Sequence, residues 1–273
     1  MGAGGDILHF DGSICAMVRS MDRVTTPALL ARVVNYGEAD RICTLLTEAL
    51  GKVDALARSA RRSRKRFGGA LSLFVLGQAA LQPPRRGGLL LLDQFDALED
   101  LSAAISSDLV KVAHGSYVLE VARELWPAEQ PEPEAFALLC DTLRALAHSP
   151  PSPALLRCFE LRLLTVVGLA PSLDRCVRCG LEQQEDGWFD LLRGGALCQR
   201  CGPADRPLPA QLRRMLLDLA RLQPAEAAAV VQPPEVARRT RELMLATMQH
   251  HLGKRLKSLD FLIQLRRGVA ERS

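Results

Sequence analysis

The sequence predicts an α+β protein, in which a five-stranded barrel is followed by an all-helical domain that a cysteine-rich module interrupts. Three observations support this prediction. Residues 24–95 contain short apolar segments separated by glycine, proline and charged clusters, a pattern typical of small β units. Within 96–270 the apolar residues recur every three or four positions, and two C-x2-C pairs lie within 174–204. A length of 273 residues suits one large domain or two smaller ones.

The first 23 residues show neither helical nor strand periodicity. Met17 and Met21 are alternative start positions, and the patterned part of the chain begins near Val24. We therefore expect residues 1–23 to form a loosely ordered extension of the barrel.

Five short strands are expected between residues 24 and 95. They are Ala28–Val34, Ile42–Thr47, Val53–Ala57, Gly69–Leu81 and Gly88–Phe95. Each is rich in branched or small apolar residues, and turn-forming residues separate it from the next. Five strands in so short a segment favour a small barrel, for which the five-stranded OB-fold is the obvious candidate.

The pattern changes to helical from about Asp96. One helical face is expected to contain Leu98, Leu101, Ile105, Leu109 and Val112. Further helices are expected at Glu134–Ala147, Ala154–Val167, Pro209–Leu222, Pro234–Leu252 and Lys254–Arg266. Proline and glycine residues stand between them, where helices start and stop. These helices form the predicted domain 96–270.

The cysteine-rich module contains two identical pairs, formed by Cys176, Cys179, Cys198 and Cys201. A C-x2-C turn brings two thiolates to one ion, and the glycine after each pair relieves the backbone there. Two such turns supply four soft ligands for tetrahedral zinc, with no open coordination position. We therefore predict one structural Zn²⁺ in a zinc-ribbon-like module. The other cysteines stand singly among apolar residues and are expected in the core; they are Cys15, Cys43, Cys140 and Cys158.

The net charge of +4 conceals an uneven distribution along the chain. Residues 24–92 carry eleven basic and four acidic side chains, giving +7. Residues 93–235 carry thirteen basic and twenty-one acidic ones, giving −8, and 236–273 carry nine and three, giving +6. Two basic ends around an acidic middle indicate a polyanionic partner.

The densest cationic segment lies between the predicted third and fourth strands. Guanidinium groups match the geometry of phosphate, so we predict nucleic-acid contact by Arg58, Arg61, Arg62, Arg64, Lys65, Arg66, Arg85 and Arg86. A secondary set near the C-terminal end comprises Lys254, Arg255 and Lys257. Because the chain has few aromatic residues, we expect phosphate contacts to dominate over base stacking.

Several function classes are excluded. No apolar stretch approaches the ~18 residues of a membrane helix, and the N-terminus lacks the basic and apolar regions of a secretory signal. A cytoplasmic protein without membrane contact is therefore expected. Phosphate-binding glycine loops, HExxH and GxSxG are absent, so an enzyme is not predicted.

Two alternatives remain open at this point. One is a zinc-containing regulator that reads a specific nucleic-acid sequence. The other is a magnesium-dependent nucleic-acid enzyme, whose only dense carboxylate cluster would be Asp93, Asp96, Glu99 and Asp100. The expected position of these acids at a helix start favours a capping role, in which they interact with the helix dipole.

Three segments resemble the DNA repair protein RecO family and occur in the same order as in that family. They are ALLARVVNYGEADRICTLLTE at 28–48, ARRSRKRFGG at 60–69 and HLGKRLKSLDFL at 251–262. The paired C-x2-C turns are also similar. The resemblance extends from about 24 to 265 and departs at 1–23 and in a proline-rich, acidic loop near 127–133.

The resemblance implies an N-terminal OB-fold, a helical C-terminal domain and an embedded zinc finger. It also implies a recombination mediator that binds single- and double-stranded DNA and anneals complementary strands. Such proteins contact the acidic, hydrophobic tail of single-strand-binding protein. With RecR, and often RecF, they help to load RecA, so a nucleoid-associated protein is expected. The resemblance assigns no residues to a tail-binding pocket.

Overall fold

The computed structural model describes residues 23–67, 70–84, 88–204 and 206–270, without the side chains of Arg64, Lys65 and 266–270. The predicted extension, except Arg23, lies outside the described residues. The strands are β1 (Val24–Tyr36), β2 (Asp40–Thr47), β3 (Gly51–Ala57), β4 (Val75–Gln82), β5 (Leu90–Asp100), β6 (Gly187–Asp190), β7 (Gly195–Leu197) and β8 (Arg206–Leu208). The helices are α1 (Arg64–Phe67), α2 (Ser102–Ser106), α3 (Leu109–Leu125), α4 (Pro133–His148), α5 (Pro153–Val166), α6 (Ala210–Arg221), α7 (Pro224–Ala228), α8 (Pro234–Leu252) and α9 (Lys257–Ala270).

The first five strands close into a barrel in the order β1-β2-β3-β5-β4. Neighbouring strands are antiparallel except β3 and β5, which pair in parallel. Closure satisfies the backbone hydrogen-bonding groups that an open sheet would leave at its edges. The predicted five-stranded, OB-like barrel is confirmed.

The barrel core follows from the alternation of side chains along each strand. In β3, Val53 and Ala55 are buried, whereas Asp54 is exposed and Leu56 is half-buried. Strand β4 approaches β5 closely at Gly77, where a Cβ atom would lie 2.4 Å from Cε1 of Phe95. Only glycine leaves room there for the buried Phe95 ring.

The predicted change from strand to helix at Asp96 is wrong. Strand β5 continues to Asp100, and the next helix begins at Ser102. Leu98 is the extra residue of a β-bulge, because Ala97 pairs with Gly77 of β4 and Glu99 pairs with Leu76. The bulge shifts the inward–outward alternation of side chains along β5 by one position. The spacing of Leu98 and Leu101 therefore resembles that of a helical face, although the Leu98 side chain is 58% exposed.

The four carboxylates expected at that helix start stand instead on β5. Each interacts with a different group: Asp93 with Arg23 (3.6 Å), Asp96 with Gln94 (2.7 Å), Glu99 with Arg144 (2.9 Å) and Asp100 with the backbone N–H of Ser102 (2.9 Å). They do not converge on a common point. The magnesium-dependent alternative therefore loses its candidate cluster.

The larger core lies among the helices and includes the buried rings of Trp126, Tyr117 and Phe159. Leu29 of β1 and Leu46 of β2 belong to the same buried cluster. The barrel is therefore packed against the helices through the outer face of its first two strands. The division of the chain into separate domains stays a prediction.

The helices predicted from Glu134 onwards are present with small shifts of their ends, and the last begins at Lys257 rather than Lys254. Of the single cysteines, Cys43, Cys140 and Cys158 are buried, as expected for core residues, and Cys15 lies outside the described residues. Burial raises the pKa of the Cys43 and Cys158 thiols to about 11 and that of Cys140 to about 12. These thiols stay protonated at neutral pH, so they are poor nucleophiles and metal ligands.

The cysteine-rich module is inserted between α5 and α6. Its small sheet has the strand order β7-β6-β8, in which β6 and β7 form an antiparallel hairpin. Strand β8 is an addition to the predicted ribbon and pairs with β6 through Gly187 and Leu208.

Candidate nucleic-acid interface and metal centre

The four clustered cysteines converge in the fold, as their spacing predicted. Their Sγ atoms all lie within 4.8 Å of one another. Each pair forms a closed turn, in which the N–H of Gly180 donates to the carbonyl of Cys176 (2.8 Å) and that of Gly202 to the carbonyl of Cys198 (3.0 Å). Gly180 has a φ of +74°, a left-handed conformation that glycine adopts without strain.

The chemistry of this cluster suits a metal ion. Burial raises the pKa of the Cys176 thiol, but hydrogen bonds from the backbone N–H groups of Cys198, Cys179 and Arg178 outweigh it and lower the pKa to about 6. Burial and the neighbouring thiols instead raise the pKa of Cys201 to about 12, so the metal-free cluster holds both thiolate and thiol. The thiolate is the form that binds metal. Four sulfur donors fit a tetrahedral ion such as zinc and leave no position for a reacting water. The four thiols therefore form a site that can hold one metal ion.

The module's sheet holds both turns in place. The N–H of Val177, within the first turn, donates to the carbonyl of Ala196 on β7 (2.8 Å). In the second turn, a Cβ atom on Gly202 would lie 2.2 Å from Cδ1 of Trp188. The Trp188 ring therefore covers the second turn, and its environment depends on the geometry of that turn.

The basic loop, which we define as residues 58–66, follows β3 and includes most of the short helix α1. It rests on the β1–β2 turn: the Arg61 side chain donates to the carbonyl of Glu38 (2.9 Å), and the Arg61 N–H donates to the carbonyl of Ala39 (3.0 Å). The backbone of Ser59 donates to the Asp40 carboxylate (2.7 Å). Arg61 thus helps to fasten the loop.

The other described arginines of the basic loop divide into two kinds. Arg66 donates to the carbonyl of Arg58 (2.5 Å), and its guanidinium lies 5.1 Å from the centre of the Phe67 ring. The side chains of Arg58 and Arg62 are exposed, and no ion pair among the described residues involves either of them. The assignment of these two to nucleic acid stays a prediction.

The structure does not describe every predicted cation of this region. Arg85 and Arg86 lie outside the described residues, and for Arg64 and Lys65 only the backbone of α1 is described. Their assignment also stays a prediction.

The secondary basic set lies in the connection between α8 and α9. Lys254 Nζ is 2.5 Å from a carboxylate oxygen of Glu124, and Arg255 is 4.0 Å from Asp260. Lys257 is exposed. Lys254 is therefore already paired with an acid, which the sequence pattern did not indicate.

A polar groove of about 480 Å³ separates the barrel from the helices at this point. Its charged lining comprises the cations Arg32, Lys52, Arg123 and Lys254 and the acids Asp54, Glu124 and Glu129. Lys52 Nζ donates to the carbonyl of Arg123 (2.7 Å), and burial lowers the pKa of Lys52. The groove thus brings a cation of β3 close to the C-terminal basic set, although the two are far apart in sequence.

A second cavity, of about 300 Å³, lies among α3, α5, α8 and α9. Its lining comprises Tyr117, Pro153, Leu156, Arg157, Arg241, Leu245, Leu259, Leu262 and Ile263. Beneath it Arg157 forms a buried ion pair with Glu160, whose carboxylate also accepts a hydrogen bond from the Tyr117 hydroxyl (2.5 Å). The Nε of Arg157 has no hydrogen-bond partner among the described residues. Sequence analysis missed this cavity; its one indication is that Arg157 and Glu160 interrupt an apolar helix.

Two family models match almost the whole described chain. The model described as Recombination protein O N terminal matches residues 21–100, and the one described as Recombination protein O C terminal matches 106–260. The chain belongs to the RecO family.

Curated relatives named DNA repair protein RecO agree with this membership. The RecO of Anaeromyxobacter sp. (strain K) is 44% identical over 250 residues, which are 90% of this chain and 98% of the relative. That of Myxococcus xanthus (strain DK1622) is 40% identical over 245 residues, covering 90% and 99%. That of Geobacter sulfurreducens is 36% identical over 249 residues, with the same coverage. RecO membership supports a role in DNA repair and recombination.

The two RecO family models together cover the basic loop and the cysteine module. The N-terminal match spans the barrel and the basic loop, and the C-terminal match spans the cysteine module and three of the four cavity-lining helices, α3, α5 and α8. Across the part of this RecO-family chain that the structure describes, no helix is both long and apolar enough to span a membrane.

Proposed function

We propose that this protein is a recombination mediator that binds single- and double-stranded DNA, anneals complementary strands and helps to load RecA onto strands coated with single-strand-binding protein. The observation that supports it most is the presentation of the basic loop at one end of an OB-like barrel in a chain of the RecO family. Arg58 and Arg62 are exposed there without acidic partners in the described structure. Such cations are available for phosphate.

The mechanism requires no bond-making chemistry, so we propose a non-enzymatic role. Cations that neutralise phosphates displace condensed counterions and reduce the repulsion between two strands. Annealing is then favoured because complementary strands can approach while bound to one protein. Zinc, when held by the four cysteines, supplies rigidity to the module rather than a reacting water.

The apolar cavity suits the tail of single-strand-binding protein. Its walls are mainly leucine and isoleucine, and Arg157 and Arg241 add two guanidinium groups. An acidic, hydrophobic peptide matches both properties, because apolar side chains fill the walls and a carboxylate binds Arg241, whereas Arg157 is already paired with Glu160. RecR, with RecF in some settings, completes the proposed set of partners. Because the proposed ligand is DNA, we propose that the protein acts at the nucleoid in the cytoplasm.

The proposal is tested by titrating single-stranded DNA at several salt concentrations. We expect replacement of Arg58 and Arg62 by alanine to weaken binding and to lower the slope of log affinity against log salt by about 1 for each phosphate that is no longer neutralised. Arg61 and Arg66 are left intact because they hold the loop. The matched control replaces Arg238 and Arg239 on α8, which pair with Glu235.

Two outcomes would contradict this assignment. An unchanged salt slope in the double variant would remove the basic loop from the DNA site. A strong preference of the unaltered protein among unrelated oligonucleotides would instead favour the sequence-specific regulator, because phosphate contacts carry no sequence information.

A further inference from the structure

The outer surface of the barrel carries a row of aliphatic side chains that crosses four strands. In the sheet register Val34 of β1 stands opposite Ile42 of β2, Ile42 opposite Leu56 of β3, and Leu56 opposite Leu91 of β5. Residues opposite each other point to the same face of a sheet. We call these four residues the aliphatic row.

The aliphatic row faces outward and is accessible. Val34 is 40% exposed, and the other three are half-buried. Their strand neighbours Cys43 and Ala55 point inward and are fully buried. With strands about 4.8 Å apart, the row is roughly 14 Å long, which leaves room for more than one planar ring.

Aromatic and cationic groups flank the aliphatic row on one side. Tyr36 is 57% exposed and is two residues beyond Val34 on the same face of β1. Most of the other aromatic rings in the described chain are buried in the two cores. Beside Tyr36 lies the basic loop, which is fastened to the β1–β2 turn through Arg61. One edge of the row is therefore lined by a ring and by exposed guanidinium groups.

The opposite edge of the aliphatic row leads to the polar groove. There Arg32 stands opposite Thr44 in the register, and Thr44 stands opposite Asp54. Thr44 donates to the Asp54 carboxylate (2.6 Å), while Arg32 and Lys52 line the groove. The groove also contains the carboxylates of Asp54, Glu124 and Glu129, so its four cations give it only a small net positive charge. Cations nevertheless occur on both sides of an apolar strip.

This arrangement fits single-stranded nucleic acid better than a duplex or an apolar protein surface. The faces of unpaired bases are apolar and pack on aliphatic and aromatic side chains, while the phosphates carry the negative charge that the flanking cations match. In a duplex the base faces are stacked inside the helix and cannot reach a flat sheet. A purely apolar protein partner would leave the cations unmatched.

We propose that the aliphatic row and Tyr36 contact the unpaired bases of single-stranded DNA, whose phosphates lie along the basic loop and the polar groove. The inference rests on the proposed DNA-binding function and adds how a single strand is distinguished from a duplex. It also changes the expectation that phosphate contacts dominate, because base contacts then carry part of the affinity for single strands.

The experiment compares two single strands of equal length and charge, one of thymidines and one of abasic nucleotides. Affinities for the full-length, zinc-loaded protein are measured by fluorescence anisotropy at one salt concentration. We expect the thymidine strand to bind roughly tenfold more tightly, since the abasic strand has no bases to stack on the row. A variant with Tyr36→Ser and Leu56→Ser should reduce this ratio towards one and leave duplex affinity unchanged.

A matched control and a second variant make the result decisive. Leu98→Ser removes an exposed leucine on β5 outside the aliphatic row and should keep the ratio of the unaltered protein. If Leu56→Ser lowers the melting temperature, Tyr36→Ser combined with Val34→Ser tests the same surface at more exposed positions. Equal affinity for both strands would overturn this inference while leaving the proposed function intact. Binding of neither strand would refute the proposed function itself.

Discussion

At the scale of single residues, His114 shows how burial makes the stability of the fold sensitive to pH. It is 2% exposed on α3, and its Nδ1 has no hydrogen-bond partner in the described structure. Burial, together with the nearby Arg157 guanidinium, lowers the pKa of His114 to about 4, although Asp108 raises it slightly. The folded protein therefore keeps this imidazole neutral well below its ordinary pKa.

We expect the free energy of unfolding to fall by about 2 kcal/mol between pH 7 and pH 5 because of His114. Below about pH 6.5 the unfolded chain takes up a proton that the folded protein excludes until about pH 4, so acid favours unfolding in this window. Urea unfolding at both pH values measures the change.

The control for this effect is His114→Leu, which cannot titrate. Its stability should fall by about 2 kcal/mol less over the same interval, and contributions from the cysteine site cancel in the comparison. An identical pH dependence in the two proteins would show that folding does not lower the pKa of His114.

At the scale of elements, the cysteine module is the part whose folding depends on a metal. It has only three short strands and a few buried apolar residues, such as Phe189 and Leu197, so a metal supplies much of its folding free energy. Phe189 and Ala196 of the module belong to the same buried cluster as the helices, but most of that cluster comes from the helices themselves, so we expect the helices to stay folded without the ion.

We predict one equivalent of zinc by elemental analysis and its loss in the Cys179→Ser variant. Because Trp188 packs over the second turn, removal of the metal should change its fluorescence, measured in a Trp126→Phe background. The far-ultraviolet circular dichroism spectrum should keep most of its helical intensity, since the helices lie outside the cysteine module.

The matched variant for the metal prediction is Cys158→Ser, whose thiol is buried and donates to the carbonyl of Leu222 (3.3 Å). It should retain the zinc. A native, metal-free protein with unchanged Trp188 fluorescence would refute the metal assignment.

At the scale of the whole molecule, annealing on coated strands requires the barrel and the helical cavity together. We expect complementary strands coated with single-strand-binding protein to anneal faster in the presence of this protein, and a coat lacking its acidic tail to remove the effect. Arg241→Ala should weaken binding of the tail peptide roughly tenfold, as for loss of one charged hydrogen bond.

Two comparisons separate the cavity from the DNA site. Annealing of uncoated strands by the Arg241→Ala protein should be normal, because the barrel is unaltered. Arg238→Ala changes the same helix at a residue paired with Glu235 and Glu242 and should leave tail binding intact. Unchanged tail binding in the Arg241→Ala protein would exclude the cavity as the tail site.

Local spacing explains which features could be predicted. The two C-x2-C turns and the density of arginines in 58–66 are short-range properties of the chain, and the turns converge as expected. The strand end at Phe95 was wrong because a bulge depends on pairing with β4, which the β5 sequence does not reveal. Likewise, the pairing of Lys254 with Glu124 joins residues from two separate elements.

The sequence by itself determined the barrel, the helices, the four-cysteine site and the uneven charge, because each depends on residues a few positions apart or on composition. Only the tertiary structure decided which side chains share a surface. Strand register aligns Val34 with Ile42, Leu56 and Leu91, and helix packing brings Arg157 and Arg241 to one cavity. Such groupings depend on long-range pairing, whose free energy is shared among many weak contacts and leaves no local pattern in the chain.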